Sequence, residues 1–178
     1  MGAIFWIVQI LGLLSIILTI ISFFQTVKWK MMLYLTATNA ILVATYILCN
    51  DVLGGVLVAG ALVRTIVYFY YSKLNKRPEP IVMLLFEIYC VVISILMWHG
   101  PITLLMIINL IIVTYTTWQN DVRILRIGYV LSSILLFVYD ILLGAYATAV
   151  SEIIMLISVI ISLVKYSKVQ KSCDNVTQ

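Results

Sequence analysis

Charge is the scarcest property of this chain: Asp, Glu, Lys and Arg make up 10% of its 178 residues, where a soluble domain carries about a quarter. So few ionisable groups cannot clothe a fold of this size against water. With 64% hydrophobic content and a mean hydropathy of +1.17, lipid is the solvent that fits. Cysteine is also sparse. Cys49, Cys90 and Cys173 form neither a C-x-x-C pair nor a Cys/His cluster, which excludes a thiolate metal centre, and no cofactor is expected. Histidine occurs once, as His99 beside Gly100 in a short connection, with no second ligand near it in sequence. The chain has no glycine-rich phosphate loop, no H-E-x-x-H, no G-x-S-x-G and no paired intramembrane aspartates, so it is not expected to be an enzyme. It also lacks a basic helix face or an aromatic platform outside its apolar runs. The net charge of +4 is therefore read as a membrane-surface feature and not as a nucleic-acid site.

What is present is a series of apolar runs broken at charged or turn residues. They predict spans near 4–25, 31–49, 52–72, 81–98, 101–118, 124–143 and 145–165. The first has no basic residue before it and no small-residue cleavage motif, so it is expected to stay as a helix and not to act as a secretory leader. Pro80 and Pro101 stand at span starts, where a missing N–H costs nothing, and Gly144 separates the last two. Seven spans put ten of the eleven basic residues on one face: Lys28, Lys30, Lys73, Lys76, Arg77, Arg123, Arg126, Lys165, Lys168 and Lys171. The connections around Asn50-Asp51, His99-Gly100 and Gly144 carry none. A multi-pass membrane protein with its N-terminus outside and C-terminus in the cytoplasm is the expectation from this asymmetry. Trp6 and Trp98 fit the outer boundary and Trp29 and Trp118 the inner one.

Loop lengths and charges repeat across spans one to three and five to seven. The expected fold is thus an all-α membrane protein of seven transmembrane helices arranged 3+1+3: a first three-helix unit over 1–73, a linker helix with its cytoplasmic loop over 74–99, a second unit over 100–166 and a polar tail over 167–178. One fixed offset pairs Lys30 with Arg123 and Ile41, Leu42 and Tyr46 with Ile134, Leu135 and Tyr139. The repeat is one of topology, not of sequence identity. Small residues crowd the third span (Gly54, Gly55, Ala59, Gly60, Ala61) and the seventh (Ala145, Ala147, Ala149, Ser151, Ser158, Ser162), which marks these two as the expected inner helices of their units.

Polar groups inside the spans are the functional candidates, because an ionisable side chain at mid-bilayer costs at least a few kcal/mol. At about 1.5 Å per residue, Arg64 lies about 18 Å below the outer ends, Glu87 about 17 Å and Glu152 about 10 Å. Arg64 and Glu87 are positioned for an ion pair. One reading has Arg64 and a carboxylate lining a central cavity, where they bind substrate polar groups or couple a proton. The other has them as a structural pair that fixes helix register. Glu152 is the better pocket carboxylate. Asn39, at about 15 Å, and Asn109, at about 12 Å, join Ser132 and Ser133 as neutral donors and acceptors for a hydroxylated ligand or for helix–helix bonds. Asp140, close to the outer interface, is read as hydrated, and Gln9, Tyr46 and Tyr139 are weaker candidates, since tyrosine near an interface is usually a belt residue.

Asn39 and Tyr46, Leu-Val-Arg-Thr at 62–65, Gly-Pro-Ile-Thr-Leu-Leu at 100–105, Trp118 before Arg123, and Glu152 near the start of the last span occur in an order that resembles the YgjV family of bacterial inner-membrane proteins. The resemblance covers nearly the whole chain to about Tyr166. It implies a seven-span topology similar to the SWEET sugar transporters and the PnuC vitamin-precursor transporters, and a fold sooner than a substrate. The chain departs from SWEET proteins in having no proline inside the first two spans of either unit. Two functions follow as expectations: a SWEET-like carrier of an unidentified small polar solute by alternating access, or a non-transporting structural or regulatory membrane protein. The lipid bilayer is the partner in either case, and oligomeric state is left open. A cavity reaching one face and lined by Asn39, Arg64, Asn109 and Glu152 is the observation expected of the carrier.

Overall fold

The computed structural model describes residues 2–50, 52–96, 98, 100–144 and 146–176, with side chains over 5–166 other than 51, 53, 97, 99, 145 and 147. Asp51, His99 and Ala145 lie outside the described residues, as do the side chains of Ala147, Lys168, Lys171 and Cys173. All regular structure among the described residues is helical: α1 (Gly2–Phe23), α2 (Lys28–Leu48), α3 (Val52–Lys73), α4 (Pro80–Leu96), α5 (Thr103–Trp118), α6 (Val122–Leu143) and α7 (Tyr146–Val176).

Local chemistry explains most of the boundaries. Pro80 opens α4, and the Asp121 carboxylate caps α6 by accepting the Arg123 N–H at 2.7 Å. Gly144 closes α6 in the left-handed conformation, at φ 74°, which L side chains rarely adopt. By contrast α7 runs on to Val176, beyond the expected end of the span at 165. The segment 167–178 that reads as a tail contains no glycine or proline to stop a helix, so the polar stretch continues helically past the membrane-length portion.

Among the described residues, five helices are long and apolar enough to cross a bilayer. The other two, α4 and α5, are apolar but have 17 and 16 residues, or about 25 Å of helix against a hydrocarbon core of about 30 Å. Large aliphatic side chains stay exposed on every helix, among them Ile10, Leu33, Val63, Leu85, Ile108, Leu131 and Ile157. A surface so evenly apolar is one that lipid covers.

Each helix packs against its neighbours in the chain, and α7 returns to α1, so the packing closes into a circuit. The tightest packing is within α1–α2–α3 and within α5–α6–α7. In both groups the middle helix is the second one, α2 or α6. The expectation that α3 and α7 are the inner helices is therefore corrected. Their small residues serve pairwise contacts instead: Gly60 of α3 admits the ring of Tyr89 from α4, whose hydroxyl donates to the Val56 carbonyl at 2.5 Å.

A close approach of the same kind joins α5 to α6, where a Cβ on Gly128 would overlap Thr116, including its own Cβ. Gly128→Ala is expected to destabilise the protein by about 1–3 kcal/mol despite a gain of about 1 kcal/mol in helix propensity. Thermal unfolding in detergent measures this, and Thr116→Gly in the same chain should restore part of the loss.

The packed core sits at one end of the circuit. Phe23, Met31, Met32, Leu35, Tyr68, Val122, Leu125 and Val159 form it, near the connections that carry the basic residues. The opposite end is hollow.

Candidate functional site

The hollow end contains a cavity of about 450 Å³ bounded by α2, α3, α5, α6 and α7. Tyr46, Gly54, Asp140 and Thr148 lie at the end with the α2–α3 and α6–α7 connections, and Leu57, Val58, Asn109 and Glu152 lie further along their helices from it. Five apolar side chains, Leu57, Val58, Met106, Leu110 and Leu136, make up much of the wall, and the polar groups are spread among them. This is the composition of a small-molecule site, in which apolar walls supply contact and a few polar groups fix orientation.

Two of the five substrate-site candidates, Asn109 and Glu152, line this cavity. Asn109 is buried on α5, and its Oδ1 has no hydrogen-bond partner among the described residues. Glu152 on α7 is half-buried and accepts a hydrogen bond from Ser133 of α6. Three candidates lie elsewhere. Asn39 of α2 donates to Thr65 of α3 at 3.3 Å, which makes it an interhelical link, and Ser132 is buried in α6 outside the lining. Arg64, 4% exposed, points to α5, where its Nη1 donates to Thr114 at 2.5 Å.

The Arg64–Glu87 ion pair does not form. Among the described residues no carboxylate lies within 4.0 Å of Arg64, although Glu87 on α4 is within its electrostatic reach. Helical depth put the two charges at the same level, but depth carries no information about azimuth around the circuit. The Arg64 guanidinium turns to the Thr114 hydroxyl, and its Nε has no partner among the described residues.

Asp140, read from the sequence as hydrated at the interface, and Tyr46 and Tyr139, read as weaker candidates, also line this cavity. The repeat offset, which pairs Tyr46 with Tyr139, was a signal for the two tyrosines but not for Asp140.

The opposite end is closed by a cation that sequence reading took for a topology label. Arg126 of α6 is 1% exposed. Its Nε and Nη2 donate to the Phe23 carbonyl at 3.2 and 3.0 Å, and Nη2 also donates to the Gln25 carbonyl at 2.7 Å. Ser162 of α7 donates to the same Phe23 carbonyl, and the Tyr166 ring lies 4.5 Å from the guanidinium carbon. Phe23 ends α1, so its carbonyl is one of those a helix leaves without an internal partner. Arg126 caps that helix from another part of the chain, and a cation at a helix C-terminus also complements the macrodipole. Around this clamp Lys28 donates to Asn120 at 3.4 Å, Arg77 stacks on Trp118 at 3.5 Å, and the Trp118 indole donates to the Pro78 carbonyl at 2.8 Å. Arg64 is thus not the only buried cation: Lys28 and Arg126 are buried too.

The geometry is that of a helical membrane unit hollow at one end and bolted at the other. No curated protein and no solved structure matches the chain. A family model described as a bacterial inner membrane protein, Imp-YgjV, matches residues 6–170, nearly the full length. The chain belongs to this Imp-YgjV family of bacterial inner membrane proteins, and its several long apolar helices make it a multi-pass one.

Proposed function

We propose that the protein is a carrier of a small polar solute that works by alternating access, with α1–α3 and α5–α7 as two units joined by α4. The observation that carries the reading is the asymmetry of the interior: a cavity of about 450 Å³ at one end and a packed core, with the Arg126 clamp, at the other. A channel needs a path through both ends. A cavity closed at one end has the form of one half of a transport cycle, in which two helix groups rock about a central site. The tight packing within each group and the meeting of Tyr46 and Tyr139 at the cavity wall support the two-unit reading.

In this proposal all seven helices cross the bilayer, with α4 and α5 accommodated by local thinning or by tilt of their neighbours. The N-terminus is outside and the C-terminus in the cytoplasm, because the basic residues gather at the core end of the fold. The cavity then opens to the outside.

Uptake into proteoliposomes tests the proposal. With a panel of radiolabelled ammonium, neutral and anionic solutes, at least one is expected to enter faster than into protein-free vesicles. Val58→Trp, which fills the cavity without touching a charge, should bring that uptake to background while the protein stays folded. The competing reading, a structural or regulatory protein whose polar groups only hold helices together, draws on the Arg64–Thr114 and Asn39–Thr65 bonds. It expects no uptake above background for any solute in the panel.

A further inference from the structure

The polar groups of the cavity differ from its walls in one consistent way: they are rich in acceptors and contain no cation. Asp140 and Glu152 contribute two carboxylates, and no lysine or arginine is among the described lining residues. Asn109, 6% exposed, belongs to the lining of the same cavity, and its buried Oδ1 has no partner among the described residues. A buried acceptor left unmade is costly, and a donor that reached this oxygen from the cavity would relieve the cost. Arg64, the cation that would have favoured an anionic solute, is turned away to Thr114.

Resting on the carrier reading above, we infer that the solute is a small organic cation, an ammonium group attached to a short apolar body. The ammonium supplies the donors and the positive charge that the Asp140 and Glu152 carboxylates lack, and a donor for the Asn109 Oδ1. Leu57, Met106, Leu110 and Leu136 supply the apolar surface for the body. Tyr46 and Tyr139 add aromatic rings, which attract cations through their negative faces. A bare metal ion fits poorly, because a cavity of about 450 Å³ is far larger than an ion and no group of three or more His, Cys, Asp or Glu able to hold a metal occurs among the described residues. The connections at the cavity end of the molecule carry no Lys or Arg to repel a cation.

Proteoliposome uptake of choline and putrescine, as ammonium probes, is compared with mannitol and glycerol, as neutral ones, and with lactate and phosphate, as anions. An ammonium probe is expected to enter, and Glu152→Gln or Asp140→Asn should slow its uptake by roughly tenfold or more. Glu152→Asp, which keeps the charge, should retain most of it, and serves as the readout if the amide variant fails to fold. Ammonium uptake that neither amide variant changes would overturn the inference. So would uptake confined to neutral or anionic probes, which would leave the carrier reading standing. No uptake of any probe would overturn both.

Discussion

Arg126→Ala is expected to lower the thermal stability of the purified protein by roughly 10 °C or more, equivalent to about 3–5 kcal/mol. The substitution removes three hydrogen bonds to the Phe23 and Gln25 carbonyls and the cation beside the Tyr166 ring. The Phe23 carbonyl ends α1 in a buried setting, where water cannot replace the lost donors, and the Gln25 carbonyl follows it in a half-buried turn. Ser162 keeps its bond to Phe23, which limits the damage to less than complete loss of the fold. Arg126→Lys should recover only part of the stability, because one ammonium cannot present the planar fork that reaches two carbonyls. Thermal unfolding of the three proteins in one detergent decides the matter. An unchanged midpoint for Arg126→Ala would mean that the clamp holds nothing.

Arg64→Ala is expected to cost about 2–4 kcal/mol, through a cavity left by a long buried side chain and the loss of its bond to Thr114. Thr114→Val should cost less, about 1–3 kcal/mol, since the guanidinium remains but loses its main partner. The double variant Arg64→Ala with Thr114→Val should then be less damaged than the sum of the two. Such non-additivity is the mark of a direct contact. Because Arg64 does not line the cavity, variants that stay folded should keep the solute preference of the native protein. A changed preference at unchanged stability would return Arg64 to the binding site.

The helices were legible in the sequence where local chemistry sets them. Pro80, Gly144 and the lengths of the apolar runs placed most ends within a few residues, because each acts on its own turn of backbone. Depth was legible as well: Asn109 and Glu152, chosen for their place inside the spans, both lie in the cavity wall. Azimuth was not. The runs are apolar nearly all round, so periodicity does not say which side of a helix faces its neighbours. That gap accounts for Arg64, assigned to a carboxylate at its own depth when its partner is a threonine on α5. It also accounts for Asn39, which meets Thr65 and not the cavity. Arg126 was hidden by a different ambiguity. A basic residue near a span end satisfies the orientation rule whether it lies in water or turns inward to cap a helix about a hundred residues away in sequence. The small residues of α3 misled for a similar reason: Gly60 records that something large approaches, but not that it is Tyr89 of α4.

Side-resolved thiol labelling tests the central claim, that the cavity is entered from the face without basic residues and closed at the other. In a chain with Cys49, Cys90 and Cys173 replaced by serine, Met106→Cys and Val58→Cys each place a single thiol in the cavity wall. In intact cells a membrane-impermeant maleimide added outside should label both within the time that labels an exposed outer-turn cysteine, and markedly faster than in inside-out vesicles, where the thiols are reached only when the carrier turns to its other state. Labelling from the cytoplasmic face alone, or from neither face, would contradict the account.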